Sequence, residues 1–269
     1  MSSALDSRQR DRYSRQLMLE GFDDADQTRL LSSRVLVVGA GGLGSAVIQY
    51  LAAAGVGTIG VADDGCVTRS NLQRQVLHGV DDLEDRKVDS AARSVELLNP
   101  DVTVETHPDR VEPGTAPSLL EDYDVVVDGL DHFPGRFVCN DVARLQETPF
   151  VHGAVYGLEG QTMAFRPGGP CYRCLLPEAP DPGAVPSDEP MGIFPTLPGA
   201  IGCLQATEVL KLLLEYGTVL DDHLLRYDAT DATLTKTALE PAPDCPVCGP
   251  DGVESVEDLA YDDRCRIER

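Results

Sequence analysis

Lysine is nearly missing from this chain. It occurs only at positions 87, 211 and 236, and the 22 Lys and Arg residues together face 45 Asp and Glu. The formal charge of -23 excludes any broad basic stripe, so a nucleic-acid partner is disfavoured by repulsion from its phosphates. The acids are scattered rather than bunched, which fits a salt-adapted surface better than one patch for a basic partner. Long apolar runs are lacking too. None approaches the roughly 18 residues that a membrane span requires, and the N-terminal MSSALDSRQRDRYSRQ contains no apolar stretch of the kind a secretory signal needs. These absences lead to the expectation of a soluble, cytoplasmic protein that binds neither membrane nor nucleic acid. Repeats of roughly 20 to 50 residues and low-complexity segments are also absent.

What is present alternates strand-like and helix-like stretches. Short β-rich runs fall at Arg34–Val38, Thr58–Ala62, Val102–Thr106, Tyr123–Asp128 and Phe150–Ala154, separated by helical patterns such as Lys87–Leu98. This alternation predicts an α/β fold, a doubly wound, Rossmann-like and mainly parallel sheet. After Ala154 the pattern changes to short strands joined by turns in GLEGQTMAFRPGG, then a Pro-rich stretch, a helix over Ile201–Glu215, and strands near His223–Tyr227 and Thr233–Leu239. Those last strands should extend the sheet in antiparallel fashion. Residues 1–248 read as a single domain, and 249–269 as an acidic, mobile tail.

The stretch VLVVGAGGLGS carries Gly39, Gly41, Gly42 and Gly44 between strand and helix, with Asp63 at the end of the next strand. Such a turn lets a phosphate approach the backbone at a helix N-terminus, and an acid at the second strand bonds a ribose hydroxyl. That suits ATP as well as a nicotinamide cofactor. Two cations, Arg74 and Lys87, follow the first strands and should face the same crevice, where a triphosphate needs side-chain charge. Asp131 stands at the carboxyl end of a parallel strand, placed either to hold Mg²⁺ or to cap the next helix, and Asp128 could serve instead.

Cysteine supplies the strongest spacing signal. CYRC (Cys171, Cys174) and CPVC (Cys245, Cys248) form two C-x₂-C knuckles, a donor set that satisfies tetrahedral Zn²⁺ and leaves no open position for chemistry. The zinc should be structural, stapling the end of the chain to its middle. Cys66, Cys139, Cys203 and Cys265 are isolated, and Cys203 reads as inert helix packing.

Taken together in this order, RYSRQ at 12–16, VVGAGGLGS, SNLQRQ, Lys87, Asp131, CYRC and CPVC resemble the ThiF/MoeB/HesA adenylyltransferases, relatives of ubiquitin-activating enzymes. The resemblance implies that the glycine turn with Asp63, Ser70 and Asn71 holds ATP, that Arg74 and Lys87 meet its phosphates, and that Asp131 acts with Mg²⁺. It implies also that Arg15 reaches the ATP of the other subunit of a homodimer, and that the four cysteines bind zinc. The implied partner is a small ubiquitin-like or sulfur-carrier protein ending in Gly-Gly, whose terminal carboxylate becomes an acyl-adenylate.

Three departures from that pattern stand out. No cysteine lies between Cys174 and Cys203, with Ser187 and Asp188 near the place where relatives carry one that can form a thioester. Gly65 stands where they often have a second acid, and Leu130-Asp131-His132 replaces the usual T-D-N. The alternatives are an NAD-dependent oxidoreductase and a non-catalytic, carrier-binding homologue.

Overall fold

The computed structural model describes residues 5–180, 192–259 and 261. Two short helices, α1 (Ser7–Arg12) and α2 (Asp24–Ser32), precede the strand β1 (Arg34–Val38), the helix α3 (Gly42–Ala54) and β2 (Thr58–Ala62). Then come α4 (Lys87–Leu98), β3 (Thr103–His107), α5 (Ala116–Leu120), β4 (Val125–Asp128), α6 (Phe133–Leu145) and the hairpin β5 (Phe150–Tyr156) with β6 (Glu159–Phe165). The short α7 (Tyr172–Leu175), the long α8 (Thr196–Leu214), β7 (His223–Asp228) and β8 (Thr233–Ala238) follow.

All eight strands form one sheet in the order β3-β2-β1-β4-β5-β6-β7-β8. The five from β3 to β5 are parallel, and β6, β7 and β8 add on antiparallel, as expected from the sequence. Both faces are covered, which is why β1 and β4 read as unbroken valine-rich runs. One face packs Val35, Val37 and Ile59 against α3, α4 and α8, and the other packs Leu36 and Val126 against Phe137 and Val142 of α6. Chain order reverses between β1 and β4, and such a switch point opens a crevice at the carboxyl ends of the strands.

α8 has 19 residues and is apolar enough to cross a bilayer by length and composition. It is instead a core helix. Leu197, Ile201 and Val209 are buried, and a Cβ on Gly202 would sit 2.6 Å from the Leu43 carbonyl oxygen, so α8 lies backbone-close against α3.

The acidic stretch from Gly249, expected as a mobile tail, lies against the body where it is described. Val256 is buried beside α6, and Tyr261 Oη donates a 3.0 Å hydrogen bond to Asp141 Oδ2. Asp141 also takes a bidentate contact from Arg173, which sits between the first two cysteines. Arg173 therefore joins α6, the first knuckle and the end of the chain. Ser187, Asp188 and Cys265 lie outside the described residues.

Candidate active site

The glycine turn follows from steric necessity at two positions. Gly39 has φ +99°, and a Cβ there would meet the Gly129 carbonyl oxygen at 2.6 Å. At Gly44 a Cβ would lie 1.9 Å from the Gly39 carbonyl oxygen, so the first turn of α3 closes onto the end of β1 only with glycine. Gly41 is different, because its Cβ would have no neighbour nearer than 3.7 Å. That open space over the N-terminus of α3 suits a phosphate. Gly44→Ala should therefore lower unfolding stability by about 1–3 kcal/mol. Gly41→Ala should leave the urea midpoint in place and weaken ATP binding alone, as isothermal titration of both variants would read.

Asp63 closes the turn from β2. Its Oδ2 accepts from the Ala40 amide at 2.8 Å and its Oδ1 from the Gly65 amide at 2.8 Å. Lys87, the first residue of α4 and 8% exposed, places Nζ 3.4 Å from Asp63 Oδ2. The change to Gly65 makes room for it, since a Cβ there would be 3.3 Å from Lys87 Nζ. His78 braces the same turn, with Nε2 3.0 Å from the Ala40 carbonyl oxygen and Nδ1 2.8 Å from Ser90 Oγ.

Arg74 lines the cleft beside Gly42, whose added Cβ would lie 3.6 Å from Arg74 Cγ, and its Nη2 donates to Asn71 Oδ1 at 3.2 Å. Ser70, Asn71 and Arg74 all line the cleft with Gly39, Gly41 and Gly42, whereas Gly44 is buried beneath it. The cleft encloses about 1390 Å³ and runs from the glycine turn, past the ends of β4 and β5, to Arg226 on β7. A nucleotide does not fill that length alone, so a second reactant has room.

The two acids at the end of β4 take different roles. Asp128 is fully buried. Its carboxylate accepts from Arg136 Nε at 2.5 Å, His152 Nδ1 at 2.8 Å and the Leu130 amide at 3.0 Å. Burial raises its pKa, but the Arg136 charge and the His152 hydrogen bond outweigh that and hold it below the usual carboxylate range. It is a structural anchor. Asp131 is exposed on the cleft wall and free of such partners among the described residues. It does not cap α6: that cap is His132, whose Nδ1 accepts from the Gly135 amide at 3.1 Å. His132 thus takes the cap that the asparagine of T-D-N could provide, and the departure there leaves Asp131 available for a cation.

Arg15, unlike the other expected cations, does not line the chain's own cleft. Tyr13 is buried with its hydroxyl accepting from Asn99 Nδ2 at 2.9 Å, and Gln16 bonds Gln27 and the Ala54 carbonyl. RYSRQ is thereby docked by Tyr13 and Gln16, and Arg15 points outward beside Met18.

The four cysteine sulfurs lie within 4.8 Å of one another, with Cys171 Sγ 3.5 Å from Cys245 Sγ and Cys174 Sγ 3.2 Å from Cys248 Sγ. Amide groups of Ala242 and Cys248 point at Cys174 Sγ and Cys245 Sγ respectively. All four donors are soft sulfur, a set that fits Zn²⁺ at its usual bond length of roughly 2.3 Å. Cys66 is exposed in the turn after β2 and Cys139 is buried in α6.

Sequence reading missed Arg136, His152 and Gln161, which stand behind or along the cleft wall. An arginine within apolar α6 and a histidine within the apolar β5 run were the available signals. His78 and His152 both have depressed pKa values, chiefly through burial. A histidine held neutral in the fold takes up a proton more readily when unfolded. Stability should therefore be complete above about pH 6.5 and fall as pH drops below it, by up to about 1.4 kcal/mol per pH unit for each group. Loss through Asp128 begins only below about pH 4, so urea midpoints measured from pH 7.5 to 5 read the histidines that burial depresses, His78, His107, His132 and His152, against Asp141, whose burial-raised carboxyl works in the opposite direction.

The chain is 52% identical to the SAMP-activating enzyme E1 of Haloferax volcanii, over 99% of both chains. It is 46% identical to a sulfur carrier protein adenylyltransferase of Thermus thermophilus, over 89% of this chain and 90% of that one. The solved structure of E. coli MccB with ATP superposes at a TM-score of 0.80 and 22% identity, covering 88% of this chain and 74% of that one, a likeness of fold. The ThiF family model matches residues 13–247, and the chain belongs to the ThiF family.

Proposed function

We propose that this protein adenylates the C-terminal glycine carboxylate of a small ubiquitin-like or sulfur-carrier protein ending in Gly-Gly, consuming ATP and releasing pyrophosphate. The product serves sulfur transfer or protein modification. The observation that carries this reading is a single cleft lined by the glycine turn, Asp63, Lys87, Arg74 and Asp131, the last without a hydrogen-bond or ion-pair partner among the described residues, with room beyond for an extended peptide end. The names of the two similar relatives support the same assignment.

The carboxylate attacks the α-phosphorus in line, and the P–O bond to pyrophosphate breaks. Two anions must approach, so the chain has to position them and screen their repulsion rather than supply a nucleophile. The α3 N-terminus receives phosphate, Asp63 holds ribose, and Lys87 and Arg74 bring positive charge to the phosphates. Mg²⁺, with Asp131 as its carboxylate ligand, supplies charge neutralisation when bound. Arg15 completes the cation set from the second copy in a homodimer, which gives its outward position a use. Zinc on Cys171, Cys174, Cys245 and Cys248 is structural.

Covalent carriage of the partner has no acceptor in the segment from 175 to 202, which contains no cysteine, whereas adenylation needs none. The test is exchange of labelled pyrophosphate into ATP at high salt with Mg²⁺ and a diglycine-ended partner, together with the intact mass of that partner. Exchange with formation of the acyl-adenylate is expected. A carrier complex without exchange would favour the non-catalytic homologue, and NADH binding in place of ATP the oxidoreductase.

A further inference from the structure

Gln161 stands on β6, two strands beyond β4, and its side chain lines the cleft. Its Nε2 lies 3.1 Å from Nε2 of His152, a fully buried residue of β5. The other ring nitrogen, Nδ1, is the one that meets Asp128 at 2.8 Å. A carboxylate that already takes Arg136 and the Leu130 amide can only accept, so Nδ1 carries the proton. Burial keeps the ring neutral, and Nε2 consequently offers a lone pair. Of the two ends of the Gln161 amide, only the NH₂ can donate to it. The Gln161 amide is therefore fixed with its NH₂ inward and its Oε1 outward, and Oε1 has no hydrogen-bond partner among the described residues.

A rigidly held acceptor on a cleft wall calls for a donor. Three strand spacings separate β1, with its glycine turn, from β6, roughly 14 Å, a distance that about four extended residues cover. A carrier tail whose terminal carboxylate reaches the α-phosphate would thus lay its last residues past Gln161. Resting on the adenylation reading, we propose that Gln161 Oε1 accepts a backbone N–H from within the last four residues of the carrier tail, with His152 as the residue that positions it. Backbone recognition of this kind needs small side chains at the tail's end, because the acceptor must come close to the main chain.

The test uses the full-length protein and semisynthetic diglycine-ended carriers, N-methylated at one of the last four amides in turn. For the wild type, one methylated position should raise carrier KM about tenfold, the size of one lost hydrogen bond. Gln161→Leu should raise KM for the unmodified carrier about tenfold, leave KM for ATP unchanged, and show no further penalty at that position. His152→Asn keeps a donor for Asp128 but lacks the ring nitrogen that Gln161 Nε2 meets, so it should blunt the same discrimination without moving KM for ATP. ATP titration of each variant establishes that the nucleotide half is intact. Equal methylation penalties in wild type and Gln161→Leu, or a rise in KM for ATP, would overturn the proposal. Absence of exchange in the wild type with unmodified carrier would overturn the adenylation reading itself.

Discussion

Lys87→Ala should lower carrier-dependent ATP–pyrophosphate exchange by about two to three orders of magnitude, the usual loss when one preorganised charge is taken from a developing anion. The expectation rests on where the ammonium is held. Its stem is buried at the start of α4, and the group is already held beside Asp63, so little reorganisation is needed when phosphates arrive. The same substitution leaves Asp63 with two backbone donors and no cation. A modest loss of stability should accompany the loss of rate. Lys87→Arg separates the two effects: it restores the charge but not the compact geometry, so the urea midpoint should recover more than the exchange rate does. Asp131→Ala should cost a similar factor in exchange with no change in midpoint, since that carboxylate is exposed. An unaltered exchange rate in both alanine variants would remove the roles assigned to them.

The second large effect concerns the cysteine cluster. A metal bound there would close the long segment between Cys174 and Cys245 into a loop, and a cross-link over such a length is worth about 4 kcal/mol in chain entropy alone. Cys171→Ser, or stripping by a strong chelator, should therefore lower the urea midpoint sharply. The wild type should yield one zinc per chain by elemental analysis and the variant none. Because Arg173 sits inside the first knuckle and grips Asp141, loosening the cluster should also free the α6 end of the cleft. ATP binding at the α3 end should be affected least, and a metal-free protein that is as stable as the loaded one would contradict the staple.

The legible part of this molecule is the part written locally. β1 and β2 fall within the very limits that alternation and turn signals set, and α4 begins and ends as its apolar period requires. α8 starts earlier than expected, at Thr196, because its first turn is recruited to bury Leu197 beside Leu43. The glycine turn, Asp63 and the cysteine spacing declared themselves because each needs its residue types at fixed intervals. What sequence could not separate was Asp128 from Asp131. The two are neighbours on one strand end, and their difference is made by Arg136 on the next helix and His152 on the next strand. Likewise Asp141 with Arg173 and Tyr261, and His152 with Gln161, are pairs created by sheet order and helix packing, and no local pattern encodes them. Residues 249–259 and Tyr261 read as tail because their apolar content is thin, yet Val256 and Tyr261 pack beside α6, and Val253 and Leu259 pack on the cysteine cluster.

The scarcity of lysine gains a chemical meaning from where the three residues lie. Lys87 is buried, Lys211 leans on Glu208 and the Thr218 carbonyl, and among the described residues only Lys236, out on the edge strand β8, is an exposed lysine. Mixed anhydrides of carboxylic and phosphoric acids acylate free amines without help, and guanidinium groups resist them. An activator so poor in accessible amines is a weak target for its own product, and leakage from the cleft would cost hydrolysis rather than self-labelling.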